Sequence, residues 1–344
     1  MKKYYLYILE CFDQTFYTGI TTDLVRRLEE HNSSKLGAKY TKIRRPLKLV
    51  YSQEFRNRSE ATKEEARIKK LTRLEKLAII GQTKVMKIEN LKKIDSLQNN
   101  QIKLLKKLNL KKYREESGQF LVENLTIIYD ALKDGYDFEA LFVTPEFIRK
   151  NEEKLNYLLN NSRALNFYLV DEKINKFYSS LDTPSGISAV YKINYKPLDK
   201  SSVIYLNGVS DPGNLGTIMR SALAFNFNNL VLDENCVDIY NPKVITAAKD
   251  AIFKLNFFET KNREWLKKNK LPVYITSSHS GSDLDKFKPA KDFCLVLGGE
   301  SHGVDIEIVK IAKQSLKIEM SSKIESLNVA TAAAILLYEL RKNI

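Results

Sequence analysis

The sequence predicts an α/β protein: a parallel sheet wrapped by helices in its C-terminal part, preceded by two smaller α/β units. Three observations carry this. From Val203 onward, apolar strand-like runs alternate with helices, the pattern of a parallel sheet covered on both faces. The first 82 residues hold short strand-like runs separated by capped helices. Glycines and small polar residues recur where strands end and helices begin, the place where open α/β sheets bind ligands. The length of 344 residues fits two or three domains at roughly 150 residues each. With 43% hydrophobic and 28% charged residues, the chain has enough apolar material for cores, which excludes wholesale disorder.

In chain order, residues 4–9 (YYLYIL) and 47–51 (LKLVY) read as strands, with a further short strand from Tyr17 after a turn at Asp13-Gln14. Thr22-Asp23 caps a helix running to His31, with Leu24 and Leu28 on one face. Ser59 caps a second helix through Glu60, Ala61, Glu64, Glu65 and Ile68, ending at Lys69-Lys70. Gly81 and the polar stretch after it close a unit of residues 1–82. Residues 85–117 read as a basic helical stretch. Asn124 to Leu132 reads as helix, Ala140–Thr144 as strand, Leu165–Val170 as strand, and Glu172–Phe177 as helix. A turn at Thr183-Pro184-Ser185-Gly186 precedes a strand at Ile187–Tyr191. These make a second unit, 83–195, followed by a linker at Lys192–Ser202. The third unit, 200–344, runs VIYLN, helix 214–226, LVLD, helix 242–251, VYIT, FCLVLG and a last helix 328–342.

Cys11, Cys236 and Cys294 form no C-x-x-C pair and read as small buried hydrophobes of a reducing cytoplasm. The longest nearly continuous apolar run, Val329 to Tyr338, holds about ten residues against the ~20 a membrane span needs. The N-terminal MKKYYLYILECF has a short apolar run broken by Glu10 and no small-residue cleavage site, unlike a secretory signal. The net charge of +14 is unevenly placed. Residues 1–82 hold 18 Lys/Arg against 10 Asp/Glu, or +8; residues 83–117 hold 10 against 4, or +6; residues 118–344 hold 28 of each. A basic arm on a neutral body points to a polyanion, with nucleic acid first. A solvated Lys-rich surface is the bland alternative.

Three segments of the third unit carry chemistry: Asn207 to Arg220, Leu295-Val296-Leu297-Gly298-Gly299-Glu300-Ser301-His302-Gly303, and Ile318-Glu319-Met320 with Glu325-Ser326-Leu327-Asn328-Val329-Ala330. Gly213 and Gly216 permit close backbone approach. Asn214 can cap a helix that carries Arg220 nearly two turns along. Gly298 and Gly299 leave a strand end bare, so that a flat ring can lie on backbone amides, and Ser326 and Asn328 suit the start of the last helix. Any one segment is compatible with an ordinary strand–helix turn; all three in this order argue for a ligand site.

These segments resemble the SpoU/TrmH family of RNA ribose 2′-O-methyltransferases: N-x-G-x-x-x-R at Asn214–Arg220, L-G-x-E-x-x-G at Leu297–Gly303, S-L-N-V-A at Ser326–Ala330, and Asn-Pro-Lys-Val at Asn241–Val244. The resemblance covers about residues 203–344. It implies the SPOUT fold with a C-terminal trefoil knot, S-adenosylmethionine as methyl donor and a homodimer. It also implies that Asn214, Arg220, Glu300, Ser326 and Asn328 serve the reaction, and that Leu297, Gly298, Gly299, Ile318, Met320 and Leu327 hold the donor. Arg220 then acts near the ribose hydroxyl, by orienting phosphate and stabilising the alkoxide or, alternatively, by taking the proton. The second unit resembles the substrate-binding domain that often precedes such a domain, through Lys112-Tyr113-Arg114, Phe120-Leu121-Val122-Glu123 and Thr183–Gly186. Asn124, Thr246–Ala251 and Glu319 depart from the usual pattern.

In the first unit, Tyr5-Leu6-Tyr7, Tyr17-Thr18-Gly19, Arg27, His31 and Glu65 can converge. Phosphodiester cleavage uses such parts: a base for water, an arginine on phosphate and a carboxylate-held metal. The alternative is core tyrosines and a solvated charged face. With Gly37-Ala38-Lys39-Tyr40-Thr41 and Glu65-x-x-Ile68-Lys69-Lys70, the set resembles the GIY-YIG nuclease superfamily in its small bacterial branch. The resemblance implies catalytic Tyr7, Tyr17, Arg27, His31 and Glu65, with Mg²⁺ held by Glu65.

The leading expectation is a cytoplasmic RNA 2′-O-methyltransferase acting on rRNA or tRNA and carrying a GIY-YIG domain. The alternative is a metal-dependent nuclease on DNA or RNA for which the knotted domain serves targeting; a third is an RNA-binding scaffold with both sites decayed. No membrane partner is expected.

Overall fold

The structure is a computed structural model that describes residues 3–13, 15–33, 37–80, 88–164, 166–277, 280–300 and 302–343. Gln14, Gly81, residues 83–87, Leu165 and Ser301, used in the sequence reading, lie outside them. The chain divides into two compact units, residues 1–91 with 151–163 and residues 92–150 with 164–344.

The first unit opens with β1 (Tyr4–Cys11), β2 (Phe16–Thr21), α1 (Leu24–Ser33), α2 (Lys39–Lys42), β3 (Leu47–Phe55), α3 (Arg58–Lys69) and α4 (Arg73–Ile79). The strands form an antiparallel sheet in the order β2-β1-β3. Alternation along β1 divides its side chains. Leu6 and Ile8 pack with Ile68 of α3, while Tyr7, Leu9 and Cys11 pack with Leu24 and Leu28 of α1. Asp23 starts α1 by accepting the Arg26 amide at 3.1 Å. Ser59 does not cap α3. Asn57, two residues earlier, accepts the Glu60 amide and returns a bond to the Glu60 carboxylate, a reciprocal arrangement that a serine already inside the first turn has no geometry to make.

The second unit begins with β4 (Lys92–Ile94), α5 (Asn100–Lys107), α6 (Lys111–Ser117), β5 (Gln119–Val122), α7 (Leu125–Lys133), β6 (Ala140–Val143), the first turns of α8 (Pro145–Asn161), whose residues from Asn151 on fall in the first unit, β7 (Asn166–Val170), α9 (Glu172–Tyr178) and β8 (Ile187–Lys192). The basic stretch is therefore not one helix: it contains a strand, a break at Leu110 and an end at Gly118 with φ +64°. Asn124, the departure from the family pattern, caps α7 through the Ile127 amide. Helix α8 has no counterpart in the sequence reading. It breaks at Asn151 (φ −137°, ψ 31°), where the division between units falls. The sheet order is β4-β7-β6-β8-β5.

The rest of this unit is β9 (Val203–Asn207), α10 (Pro212–Ala224), β10 (Asn229–Leu232), α11 (Pro242–Ala248), α12 (Ala251–Lys254), β11 (Asn256–Glu259), α13 (Glu264–Lys268), β12 (Val273–Thr276), β13 (Ser282–Asp283), β14 (Cys294–Gly298), α14 (Ile306–Ile311), β15 (Gln314–Lys317) and α15 (Val329–Leu340). All seven strands are parallel, in the order β11-β10-β9-β14-β12-β15-β13. The helix expected over 242–251 is two, broken at Lys249 with φ 57° and ψ −138°. The two sheets of this unit are tied by a buried ion pair. Arg114 of α6, 3% exposed, donates to the Asp238 carboxylate and, at 2.7 Å, to the Leu108 carbonyl. Phe120 of β5 adds an apolar contact, its ring 4.6 Å from that of Tyr240. Among the described residues no helix is long and apolar enough to cross a membrane.

Candidate active sites

At the carboxyl ends of β12, β14 and β15 lies a cavity of about 860 Å³, within the range of small-molecule sites. Gly298, Gly299, Ile318, Met320 and Leu327 line it, as do Glu300, Ser326 and Asn328. Leu297 does not. It is 1% exposed and pairs with Leu206 inside the sheet, because alternation along β14 sends its side chain into the core. The two glycines are demanded by backbone, not by turn conformation. A Cβ on Gly298 would sit 2.2 Å from the Gly303 carbonyl carbon, and one on Gly299 2.4 Å from the Gly208 oxygen. The loop after β14 folds back through Gly303 N–H to Gly299 O at 2.9 Å and is tied to β9 through Gly299 N–H to Asn207 O at 2.8 Å. Sequence reasoning missed Thr276, Ser277, Ser280 and Ser315, which add hydroxyls to the lining, and gave no role to His302, which lines it too from within a segment already singled out. Thr276 at least was legible as the last residue of an apolar strand ending at a crevice.

Beside this cavity, three residues distant in sequence meet. Asn214 donates its side-chain amide to the Glu300 carboxylate. Asn328 donates to Asn214 Oδ1 at 3.0 Å and to Glu300 Oε1 at 3.3 Å. Asn328 also caps α15 through the Ala330 and Thr331 amides, so the side chain that starts the last helix joins it to the cluster; Ser326 has no part in that cap. Asn214 does not cap α10. Asp211 does, accepting the Asn214 amide at 2.8 Å, which frees the Asn214 side chain for Glu300. Gly216 allows close approach as expected, since a Cβ there would lie 2.4 Å from Ala247 Cβ of α11. Gly213 faces only the Asp211 carboxylate, at 3.1 Å. Arg220 is exposed on α10 with no hydrogen bond or ion pair to a described residue. Six residues beyond Asn214, it lies roughly 9 Å along the helix axis.

The first unit holds a tighter cluster. Tyr7 Oη lies 2.9 Å from His31 Nε2, and Arg27 Nε donates to Tyr7 Oη at 3.3 Å. Arg27 is paired with Glu30 at 2.6 Å. The Tyr17 ring packs on His31 at 5.0 Å and near Tyr7 at 6.3 Å. Gly19 pairs with Tyr7 across β1 and β2 and clears space for it: a Cβ would be 2.6 Å from the phenol oxygen. Burial pushes the Tyr7 phenol up to about 12, against the pull of Arg27. Burial, then the Arg27 charge, push His31 down to about 4. Burial works against the Arg27 cation, but bonds to Glu30 and Tyr7 outweigh it and hold its pKa above the ordinary value. Glu65 of α3 stands apart, half-buried and paired with Lys69 at 2.7 Å; its charge is felt at Tyr7, yet it makes no hydrogen bond to the cluster. Among the described residues no three His, Cys, Asp or Glu side chains are grouped to hold a metal. The sequence reading missed Thr41 as the second partner of His31, at 2.8 Å, although Thr41 ended a segment already singled out.

Comparison with known proteins matches these parts separately. Residues 201–338 match the SpoU rRNA Methylase family, residues 3–78 the GIY-YIG catalytic domain and residues 99–189 the MRM3-like substrate binding domain. The 23S rRNA (guanosine(2553)-2′-O)-methyltransferase RlmP of Bacillus subtilis is 30% identical over 255 residues, which are 73% of this chain and 100% of that protein. A UPF0213 protein of Syntrophus aciditrophicus is 56% identical over 82 residues, 24% of this chain and 94% of its own. The structure of a putative RNA methyltransferase of the TrmH family from Porphyromonas gingivalis superposes with a TM-score of 0.63 at 29% identity, covering 72% of this chain and 100% of that one. The parallel sheet, the glycine-floored cavity and the joined asparagines and glutamate thus sit in a chain that belongs to the SpoU rRNA methylase family and carries a GIY-YIG domain ahead of it.

Proposed function

We propose that the second unit transfers a methyl group from S-adenosylmethionine to a ribose 2′-hydroxyl of rRNA, working as a homodimer in the cytoplasm. The observation that carries this is the meeting of Asn214, Glu300 and Asn328 at the cavity formed by the ends of β12, β14 and β15. The cavity suits the donor. Gly298 and Gly299 bring bare backbone to its lining, Ile318, Met320 and Leu327 add apolar surface, and Thr276, Ser277, Ser280 and Ser315 add hydroxyls. When bound there, S-adenosylmethionine supplies a methyl group activated by a sulfonium. Arg220 is placed outside the cavity, free to hold an RNA phosphate and to stabilise negative charge on the 2′-oxygen as its proton leaves. Asn214, Glu300 and Asn328 orient the loops around that oxygen by hydrogen bonds. The RNA is gripped by residues 83–195, where Lys103, Lys106 and Lys107 of α5 are exposed and have no acidic partner among the described residues. Lys106 stands over Phe177, itself 39% exposed, an arrangement suited to unpaired bases and phosphates. Domain limits of 1–82, 83–195 and 200–344 accompany this reading. Mapping 2′-O-methyl groups in rRNA from a host lacking the gene tests it. Loss of one methyl group is expected, with the position named for the Bacillus subtilis relative as the first place to look. An unchanged map rejects the reading.

For residues 1–82 a second reading is favoured by the Tyr7–His31–Arg27 network: hydrolysis of a phosphodiester in RNA or DNA. Tyr7 is the candidate base, Arg27 faces the phosphate, Tyr17 packs on His31, and Glu65 would hold Mg²⁺. One carboxylate suits that ion, which binds through one or two carboxylates and keeps several waters. Incubation of the full chain and of its Glu65→Ala variant with labelled RNA and DNA tests this. Methyl transfer is expected to be equal in both, with cleavage in the first alone.

A further inference from the structure

We propose that Thr41 is a positioning residue that fixes the tautomer of His31, so that a bare His31 Nε2 accepts the hydrogen bond of the Tyr7 phenol. The argument follows the hydrogens. The Thr41 hydroxyl lies 2.8 Å from the Ala38 carbonyl oxygen, which offers only lone pairs, so this bond uses the one hydrogen the hydroxyl has. The same Thr41 oxygen is 2.8 Å from His31 Nδ1. With its hydrogen spent, it can there only accept, and Nδ1 must carry the imidazole hydrogen. A neutral imidazole has a single N–H, which leaves Nε2 bare as the acceptor 2.9 Å from Tyr7 Oη. Arg27 Nε, which can only donate, occupies a lone pair of the same phenol oxygen at 3.3 Å, so the phenol hydrogen is free to point at His31. Burial and the Arg27 charge keep the ring neutral near pH 7.

The backbone is built to hold this contact. Thr41 and His31 are both fully buried. Gly37, just ahead of α2, lies so close to α1 that a Cβ would come within 2.9 Å of the Glu30 carbonyl oxygen and 3.1 Å of His31 Cα. The Thr41 hydroxyl bonds to His31 Nδ1 and the Ala38 carbonyl, so it acts through the ring nitrogen far from Tyr7.

The use of this lock in cleavage rests on the reading of the first unit as a nuclease, so the test reads the ring itself. The full chain is labelled with ¹⁵N-histidine; its three histidines are His31, His279 and His302, and His31→Asn identifies the signal. At pH 7 His31 is expected to show a protonated Nδ1 and a bare Nε2, the reverse of the form that free neutral histidine prefers. Thr41→Val is expected to bring in the Nε2-protonated form, while Thr41→Ser keeps the wild-type spectrum. Should the valine variant not fold, the wild-type and serine spectra decide between them. An Nε2-protonated His31 in the wild type overturns the proposal, as does a folded valine variant with an unchanged ring. A chain that cleaves nothing yet shows the single Nδ1–H form keeps the lock and rejects only the nuclease reading.

Discussion

The two side-chain clusters of this chain are built on opposite plans. In the first unit Tyr7, His31 and Thr41 are 2%, 0% and 0% exposed and spend their polar atoms on one another. In the second, Glu300 and Asn328 are exposed, and Arg220 has no partner among the described residues. The difference follows from the work each can do. A proton is steered by fixing donors and acceptors at short range in a dry place, where hydrogen bonds are strong and pKa values move far from their ordinary positions. A macroanion has to be met at the surface, and Arg220, exposed and without a partner among the described residues, keeps its charge available to it.

If that contrast is right, the largest effect comes from the unpaired group. Arg220→Ala is expected to lower methyl transfer by roughly 10²- to 10³-fold with donor affinity unchanged, since Arg220 does not line the cavity. Labelled-methyl transfer alongside calorimetry with S-adenosylmethionine checks both halves; parallel losses would erase the contrast.

The buried cluster is expected to answer to acid instead. His31 is held near 4 against its ordinary 6.5, so between these values the unfolded chain binds a proton that the folded one refuses. Stability of the first unit then falls as pH drops from 6.5 toward 4, by up to about 3 kcal/mol. Thermal melts across that window should show this slope in the wild type and lose it in His31→Leu.

Gly298→Ala sharpens the comparison from inside the open site. Its Cβ meets Gly303 backbone at 2.2 Å, and backbone has no rotamer by which to yield. A loss of about 1–3 kcal/mol in stability is expected, with weaker donor binding by calorimetry. The smallest effect is expected at the rim of the RNA arm. Alanine at both Lys106 and Lys107 should weaken RNA binding about equally for all sequences and reduce the slope of log affinity against log salt by about 1.5, as filter binding over a salt series would show.

The open site was the more legible of the two in sequence, and for a physical reason. Its residues sit at strand–helix junctions, where Gly298 and Gly299 leave no room for a Cβ and Asn328 caps the last helix, so local chemistry betrays them. What sequence could not separate were near-equivalent local choices. Ser59 and Asn57 are both good caps, and only the reciprocal bond with Glu60 selects Asn57. Leu297 and Gly298 are neighbours in one motif, and strand alternation puts one in the core and the other in the cavity. The helix expected over 242–251 had no glycine or proline to announce its break, which falls at a lysine with positive φ. Thr41 was visible as part of a motif, but its role depends on where a single hydrogen goes, which no spacing records.

The buried bond between Arg114 and Asp238 joins residues 124 positions apart. Opening it would strand a charge in the interior at a cost of several kcal/mol, so the RNA arm of the second unit and the methyl-transfer cavity keep a constant separation. An enzyme made this way behaves as a caliper. With RNA gripped as proposed, such an enzyme would select a ribose by how far, and in what direction, it stands from a feature held elsewhere on the RNA, and an insertion in the RNA between the two is expected to abolish modification even with the target nucleotide intact.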